Sequence, residues 1–235
     1  VRHLADNETP PQIIMTLMKK NCNQVSALIQ MAEKLGASSV KFNLVQPTAK
    51  GKSLHEGMQA LSVEEIIAMG KRIEKDMSAA TKLKLFFDFP MAFRSLKRLF
   101  NGDGCSTCGI YSILGVIADG RYALCGIGTH VPELVFGKVG KDRLKNIWQE
   151  NETLQDIRDG LPGRLEGVCS RCLMKERCLG ACLAQNYFRK KSLWGPFWFC
   201  EAAEKAGLFP KSRLYPNDSC KDIKKVSRKG AKMLK

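Results

Sequence analysis

Eight of the chain's ten cysteines fall between residues 105 and 200, and their spacing constrains the fold more than any other feature. Cys105 and Cys108 open the pattern, followed by Cys108-x11-Gly120-x4-Cys125. A gap leads to Cys169-x2-Cys172-x5-Cys178-x3-Cys182, and Cys200 closes the set. A C-x2-C pair lets two thiolates turn toward one metal. Eight thiolates make two four-cysteine sites, and such sites hold zinc or an iron–sulfur cluster.

The competing use of so many cysteines is a disulfide framework. Scaffolds of that kind are short, usually under about 80 residues, and carry cysteines throughout. This chain has 235 residues, and its first hundred contain only Cys22. Val1-Arg2-His3 leads into a polar stretch without the pattern of a signal peptide. No apolar run reaches the roughly 20 residues that span a bilayer. The expected location is therefore cytoplasmic, where thiols stay reduced and free for metal, and no membrane association is expected.

The net charge of +15 is concentrated toward the end. Residues 211–235 hold Lys211, Arg213, Lys221, Lys224, Lys225, Arg228, Lys229, Lys232 and Lys235, opposed only by Asp218 and Asp222. A basic stretch of this kind suits a polyanion. It has few aromatics for base stacking and no helix-turn-helix pattern, so nucleic acid is disfavoured and a solvated tail over 210–235 is expected.

The first hundred residues alternate strand and helix. Ile13–Met18 reads as a buried strand, Asn23–Leu35 as an amphipathic helix, and Ser39–Gln46 as a second strand stopped by Pro47. Thr48–Gln59 reads as a polar loop. Ser62 and Glu65 form a capping box opening a helix to about Ala80, and Leu83–Phe89 is a third strand. A helical stretch follows near Ala92–Phe100. The β-α-β-α-β order predicts a parallel sheet with right-handed crossovers. Three such units do not close a barrel and leave strand 13–18 at an edge, so the chain reads as part of something larger.

Gly102-Asp103-Gly104 marks a domain boundary. Beyond it, Val116–Leu124 reads as a hairpin around an Asp119-Gly120 type I′ turn that delivers Cys125. Asp142–Ile157 reads as one or two amphipathic helices, broken by Gly160-Leu161-Pro162-Gly163. This part is expected to have little apolar core and to rely on metal for its order.

The run 169–182 is too dense for incidental core cysteines. In ferredoxin-type runs the last cysteine ligates the other cluster. By that parallel Cys169, Cys172 and Cys178 share one site and Cys182 reaches a second. Zinc knuckles also use C-x2-C pairs, so zinc stays open at this point, although zinc sites rarely share a dense run.

Cys108 to Gly120 to Cys125, the run 169–182 and Cys200 together resemble the seven-cysteine SPASM motif of radical SAM enzymes. Phe136–Val139 and Leu144–Trp148 resemble the segment between its cysteine groups. Residues 13–100 resemble, in element order, the last strand–helix units of the radical SAM partial (β/α)6 barrel. The resemblance implies an α/β partial barrel fragment over 1–104 and a small α+β SPASM domain over 105–209. It implies two auxiliary [4Fe-4S] clusters: the first on Cys108, Cys125 and Cys182 with Cys105 placed as fourth ligand, the second on Cys169, Cys172, Cys178 and Cys200.

One departure matters. The C-x3-C-x2-C triplet with which the family generates its radical is absent from this sequence. S-adenosylmethionine is therefore expected only in the complete enzyme, together with a missing barrel half or partner chain. The implied substrate is a peptide or protein, and the implied electron donor resembles flavodoxin or ferredoxin. The rival reading is a non-catalytic iron–sulfur electron-transfer or accessory module. Cys22 and Cys220 read as free thiols, and His130 as a loop histidine. Gln46, at a strand's C-terminal end, is a candidate cavity residue. Trp194, Phe197, Trp198 and Phe199 are candidates to shield a cluster from water.

Overall fold

The computed structural model describes residues 1–101 and 108–216. The chain divides into two compact units, Val1–Ser106 and Thr107–Lys235. The 102–104 boundary, Cys105, Cys220 and the tail beyond 216 lie outside the described residues.

The first unit begins with a short helix, α1 (Arg2–Asp6), then β1 (Gln12–Leu17), α2 (Val25–Lys34) and β2 (Ser39–Leu44). It continues with α3 (Lys50–Glu56), α4 (Val63–Arg72), β3 (Lys84–Phe87) and α5 (Leu96–Asn101). The strands form one parallel sheet in the order β1-β2-β3, with Val40 opposite Ile13 and Leu85. The central strand is the most deeply buried, with Val40 and Phe42 fully enclosed. α2 turns Val25, Ile29 and Ala32 inward, the stripe expected of period 3.6.

Ser62 caps α4 reciprocally with Glu65, as the sequence predicts. Gly70 lies where α4 crosses the aromatics after β3. A Cβ there would stand 2.5 Å from the Phe89 ring, so close packing outweighs the cost of about 1 kcal/mol for a helical glycine.

Two expectations for this unit need correction, and the helix expected to about Ala80 forms with a local change of type. The expected polar loop 48–59 contains α3, which has no buried residue and hence no apolar stripe to reveal it. It is anchored instead by a 2.8 Å hydrogen bond between His55 Nε2 and the Val45 carbonyl. The helix expected to reach Ala80 changes to a wider π turn over Ile73–Met77, which buries Ile73 and Met77. β1 is not buried throughout: it alternates, and Ile14 remains 57% exposed on the edge strand.

The second unit contains β4 (Gly115–Val116), β5 (Arg121–Ala123) and β6 (Val135–Lys138) as an antiparallel sheet in that order. α6 (Leu144–Glu150) and α7 (Glu152–Gly160) follow. Then come α8 (Gly167–Ser170), α9 (Lys175–Cys178), α10 (Leu183–Lys190) and α11 (Trp198–Lys205). The hairpin forms where expected, but not with a type I′ turn. Only Gly120 of the Asp-Gly pair has positive φ, at 81°, and the Gly120 amide donates to the Ile117 carbonyl. A turn of ordinary hand followed by a left-handed glycine joins these strands, and Asp119 accepts from the Arg121 amide and guanidinium.

The unit also has more apolar core than its cysteine content suggests. Leu124, Val131, Leu134, Ile157, Val168, Phe199 and Ala203 are each at most 1% exposed. They come from separate short elements, and for that reason no periodicity announces them. Among the described residues no helix is long and apolar enough to cross a membrane.

Candidate metal centre

Cys108 follows the undescribed segment, Cys125 lies two residues past the end of β5, and Cys182 is the N-cap of α10. These three sulfurs lie within electrostatic reach of one another. Burial raises the Cys108 thiol, and Cys125 raises it further. Burial lifts the Cys182 thiol to about 11, with the Gln185 backbone opposing and Cys125 and Cys108 adding to the rise. Cys108 is the exposed member.

The second set is deeper. Cys169 lies in α8, Cys178 ends α9, Cys200 lies in α11, and Cys172 sits in the turn between α8 and α9. Cys169, Cys172 and Cys200 are 8%, 7% and 6% exposed. Burial pushes Cys169 up to about 12, with Cys178 and Cys172 among the further causes. Cys200 is pushed well above its ordinary value by burial first and then by Cys169, Cys178 and Cys172. Burial also raises Cys172, against the pull of the Met174 amide, Arg213 and Lys175. The Met174 amide donates to Cys172 Sγ at 3.3 Å.

The structure thus brings seven cysteines into one set of three and one set of four. The route between the sets is local. Leu179, Gly180 and Ala181 all take positive φ, at 52°, 76° and 60°. Left-handed backbone at a non-glycine residue costs about 1–2 kcal/mol. Here it reverses the chain between Cys178 and Cys182, so neighbouring cysteines of one run face different sets. The outer strand of the second site is tied down by residues 213–215: the Leu173 amide donates to the Arg213 carbonyl and the Tyr215 amide to the Arg171 carbonyl, both at 2.9 Å.

The donor chemistry fits a thiolate-held cluster. Burial, with repulsion from neighbouring sulfurs, raises the Cys169, Cys182 and Cys200 thiols above their ordinary values. A positively charged metal core removes that obstacle and releases the protons. A tetrahedral zinc site needs sulfurs about 3.8 Å apart, from a Zn–S bond of about 2.3 Å. Among the described residues, no three of His, Cys, Asp or Glu converge closely enough for a single metal ion.

The aromatic segment flanks the second set. Trp194, Phe197, Trp198 and Phe199 are buried, with Phe197–Trp198 and Trp198–Phe199 ring centroids 5.9 and 5.6 Å apart. His130 is exposed at the end of a 3-10 turn, and Cys22 donates to the Lys19 carbonyl at 3.4 Å. In the first unit, Gln46 Nε2 lies 3.4 Å from Asp88 Oδ2 just beyond β2 and β3. Burial raises the Asp88 carboxyl, against the pull of Lys41 and Arg94. Arg94, 5% exposed, donates to the carbonyls of Phe89 and Phe87 at 3.1 and 2.9 Å.

Asp88, Arg94 and Gln185 were not singled out from sequence. A carboxylate inside the aromatic run Phe86-Phe87-Asp88-Phe89 was an available signal for the first. Arg94 and Gln185 carried none, because only folding buries them.

Residues 105–173 match the SPASM family, described as an iron-sulfur cluster-binding domain. The chain is also similar to an AdoMet-dependent heme synthase of Methanosarcina barkeri. The two are 26% identical over 192 residues, covering 76% of this chain and 52% of that protein. The chain spans about half the length of that curated relative.

Proposed function

We propose that this chain, which is of the radical SAM/SPASM type, holds two [4Fe-4S] clusters and moves electrons for a radical SAM enzyme. The first cluster takes Cys108, Cys125 and Cys182, with Cys105 as fourth ligand. The second takes Cys169, Cys172, Cys178 and Cys200. The observation that carries this reading is the division of seven cysteines into a set of three and a set of four.

A cluster in such a set accepts and returns one electron at a time. The protein's part is to fix the thiolates, donate N–H groups to sulfur, and exclude water with the aromatics around Cys200. The α/β unit, with its parallel order β1-β2-β3, is the last portion of a partial barrel in this reading. S-adenosylmethionine belongs to the complete enzyme, because this sequence has no C-x3-C-x2-C triplet. The electron donor is a flavodoxin- or ferredoxin-like carrier.

The substrate on the first reading is a peptide or protein. A second reading, a tetrapyrrole, is favoured by the similarity to the heme synthase. A change in tetrapyrrole absorbance on titration with the chain supports the second.

The decisive experiment is anaerobic reconstitution followed by iron and sulfide analysis. About eight of each are expected for two clusters. Cys200→Ser should remove the second cluster's share and leave the first. Zinc without sulfide in the purified protein would end the proposal.

A further inference from the structure

The cysteine unit also holds a cavity that no cysteine lines. Its volume is about 500 Å³, its apolar walls are Leu114, Val116, Tyr122, Leu144 and Trp148, and its polar lining is Ser112 and Lys145. Small-molecule sites span roughly 300–1,000 Å³. Local packing explains why the cavity stays open. Ile147 seats α6 on β6, where a Cβ at Gly137 would stand 2.7 Å from Ile147 Cδ1. Leu144 and Trp148, one helical turn apart, are left facing the cavity. Opposite them, Gly115 of β4 packs so tightly on the next strand that a Cβ would stand 3.3 Å from Cys125 Cα. Its two neighbours, Leu114 and Val116, line the cavity. Val116 and Leu144 remain 61% and 51% exposed, and apolar side chains left in water around one concavity mark a binding surface.

The charge around the cavity has one sign. No acidic side chain lines it among the described residues. The Ser112 hydroxyl donates to the Gly109 carbonyl at 3.3 Å, and Lys145 makes no ion pair among the described residues. Arg158 of α7 stacks on Trp148, its guanidinium carbon 4.4 Å from the ring centroid. Arg158 Nη2 is buried and has no hydrogen-bond partner among the described residues. A buried donor on a charged group without an acceptor is costly and uncommon. The cavity therefore combines an aromatic wall, a cation in its lining, and a second cation on the indole with no anion to balance it.

We propose that this cavity binds a small flat aromatic molecule bearing one acidic group, its ring against Trp148 and its anion paired with Lys145. The inference goes beyond the electron-transfer reading and needs neither cluster assignment.

The test is isothermal titration calorimetry of the reconstituted chain with two probes of nearly the same shape, naphthoate and its neutral amide, naphthamide. The parent should bind one equivalent of naphthoate. Lys145→Glu should weaken naphthoate about tenfold, the scale of a charge-assisted hydrogen bond, and change naphthamide less than about twofold. Val116→Asp puts a carboxylate into the apolar wall and should weaken both probes; Leu144→Asp is the second variant of this kind. All three positions are exposed, so iron content should stay at the parent level. No binding of naphthoate by the parent overturns the inference. An equal effect of Lys145→Glu on both probes also overturns it, as does unchanged binding in both wall variants. So does a parent dimer in sedimentation that Val116→Asp dissociates, because a second copy would then cover the cavity. Iron and sulfide analysis of the same samples judges the cluster proposal separately: naphthoate bound to a chain without iron would sink that proposal and leave this one standing.

Discussion

The two units solve the problem of burial in opposite ways. The α/β unit encloses a sheet whose central strand carries Val40 and Phe42 at zero exposure, with helices supplying regular apolar stripes. The cysteine unit uses elements as short as two residues in β4 and four in α8 and α9. It buries thiols beside aliphatic and aromatic side chains. The first unit's order comes from hydrophobic burial along repeating elements. The second combines a real apolar core with two sets of sulfurs, of which Cys169, Cys182 and Cys200 are held above their ordinary pKa by burial. Metal should therefore matter to the second unit unevenly: most around the thiols, least around Ile157, Phe199 and Ala203.

Removing the clusters is the largest perturbation of this contrast. Chelation under anaerobic conditions should raise amide hydrogen exchange around Cys108, Cys125 and residues 172–182. The sheet β1–β3 should be unchanged, and residues 198–203 should retain much of their protection. Equal protection everywhere, with and without metal, would erase the distinction between the units. Collapse of the whole second unit would restore the simpler expectation of a domain stapled by metal alone.

Phe42→Ala approaches the comparison from the other side. It opens a cavity in the central strand and should destabilise the first unit by about 3–5 kcal/mol. Denaturant unfolding followed by a probe in that unit measures the loss. Iron content should stay at the parent level, and a fall in iron would show that the cysteine unit depends on the α/β unit for its sites.

Asp88→Asn is the smallest and tests the sign of a buried charge. Burial raises the Asp88 pKa above its ordinary 3.8, so the folded unit holds this proton more tightly than the unfolded chain. Its contribution to stability is complete below that value and is lost as pH rises through the folded pKa. The asparagine variant should therefore be slightly more stable than the parent at pH 7, with the advantage shrinking as pH falls toward 4. Thermal melts at the two pH values decide it. A variant less stable at pH 7 would mean that the carboxylate's contacts with Gln46, Lys41 and Arg94 outweigh its desolvation.

How much was legible beforehand depended on whether the signal was local. The Ser62/Glu65 capping box and the apolar spacing of α2 act over a few residues, and both appear in the fold. α3 was missed because it buries nothing and is fixed by one tertiary hydrogen bond from His55. The hairpin's position was readable from Asp119-Gly120, but not its turn type, since an Asp-Gly pair suits both a two-residue type I′ loop and the observed three-residue loop closed by a left-handed glycine. The core of the cysteine unit left no pattern, because its members arrive one or two at a time.

By itself the sequence determined that thiols would dominate the second half, that Cys169 and Cys172 would lie together, and that strands and helices would alternate before them. These follow from residue type and short spacing. The spacing also anticipated that Cys182 leaves the site of Cys178, but only the tertiary structure shows how. It reverses the chain at Leu179–Ala181 and so parts Cys178 from Cys182. It also draws Cys200 beside Cys169. The physical reason is range. Helical and strand periodicity act over a few residues, whereas desolvation and sulfur–sulfur repulsion depend on which segments the completed fold brings together.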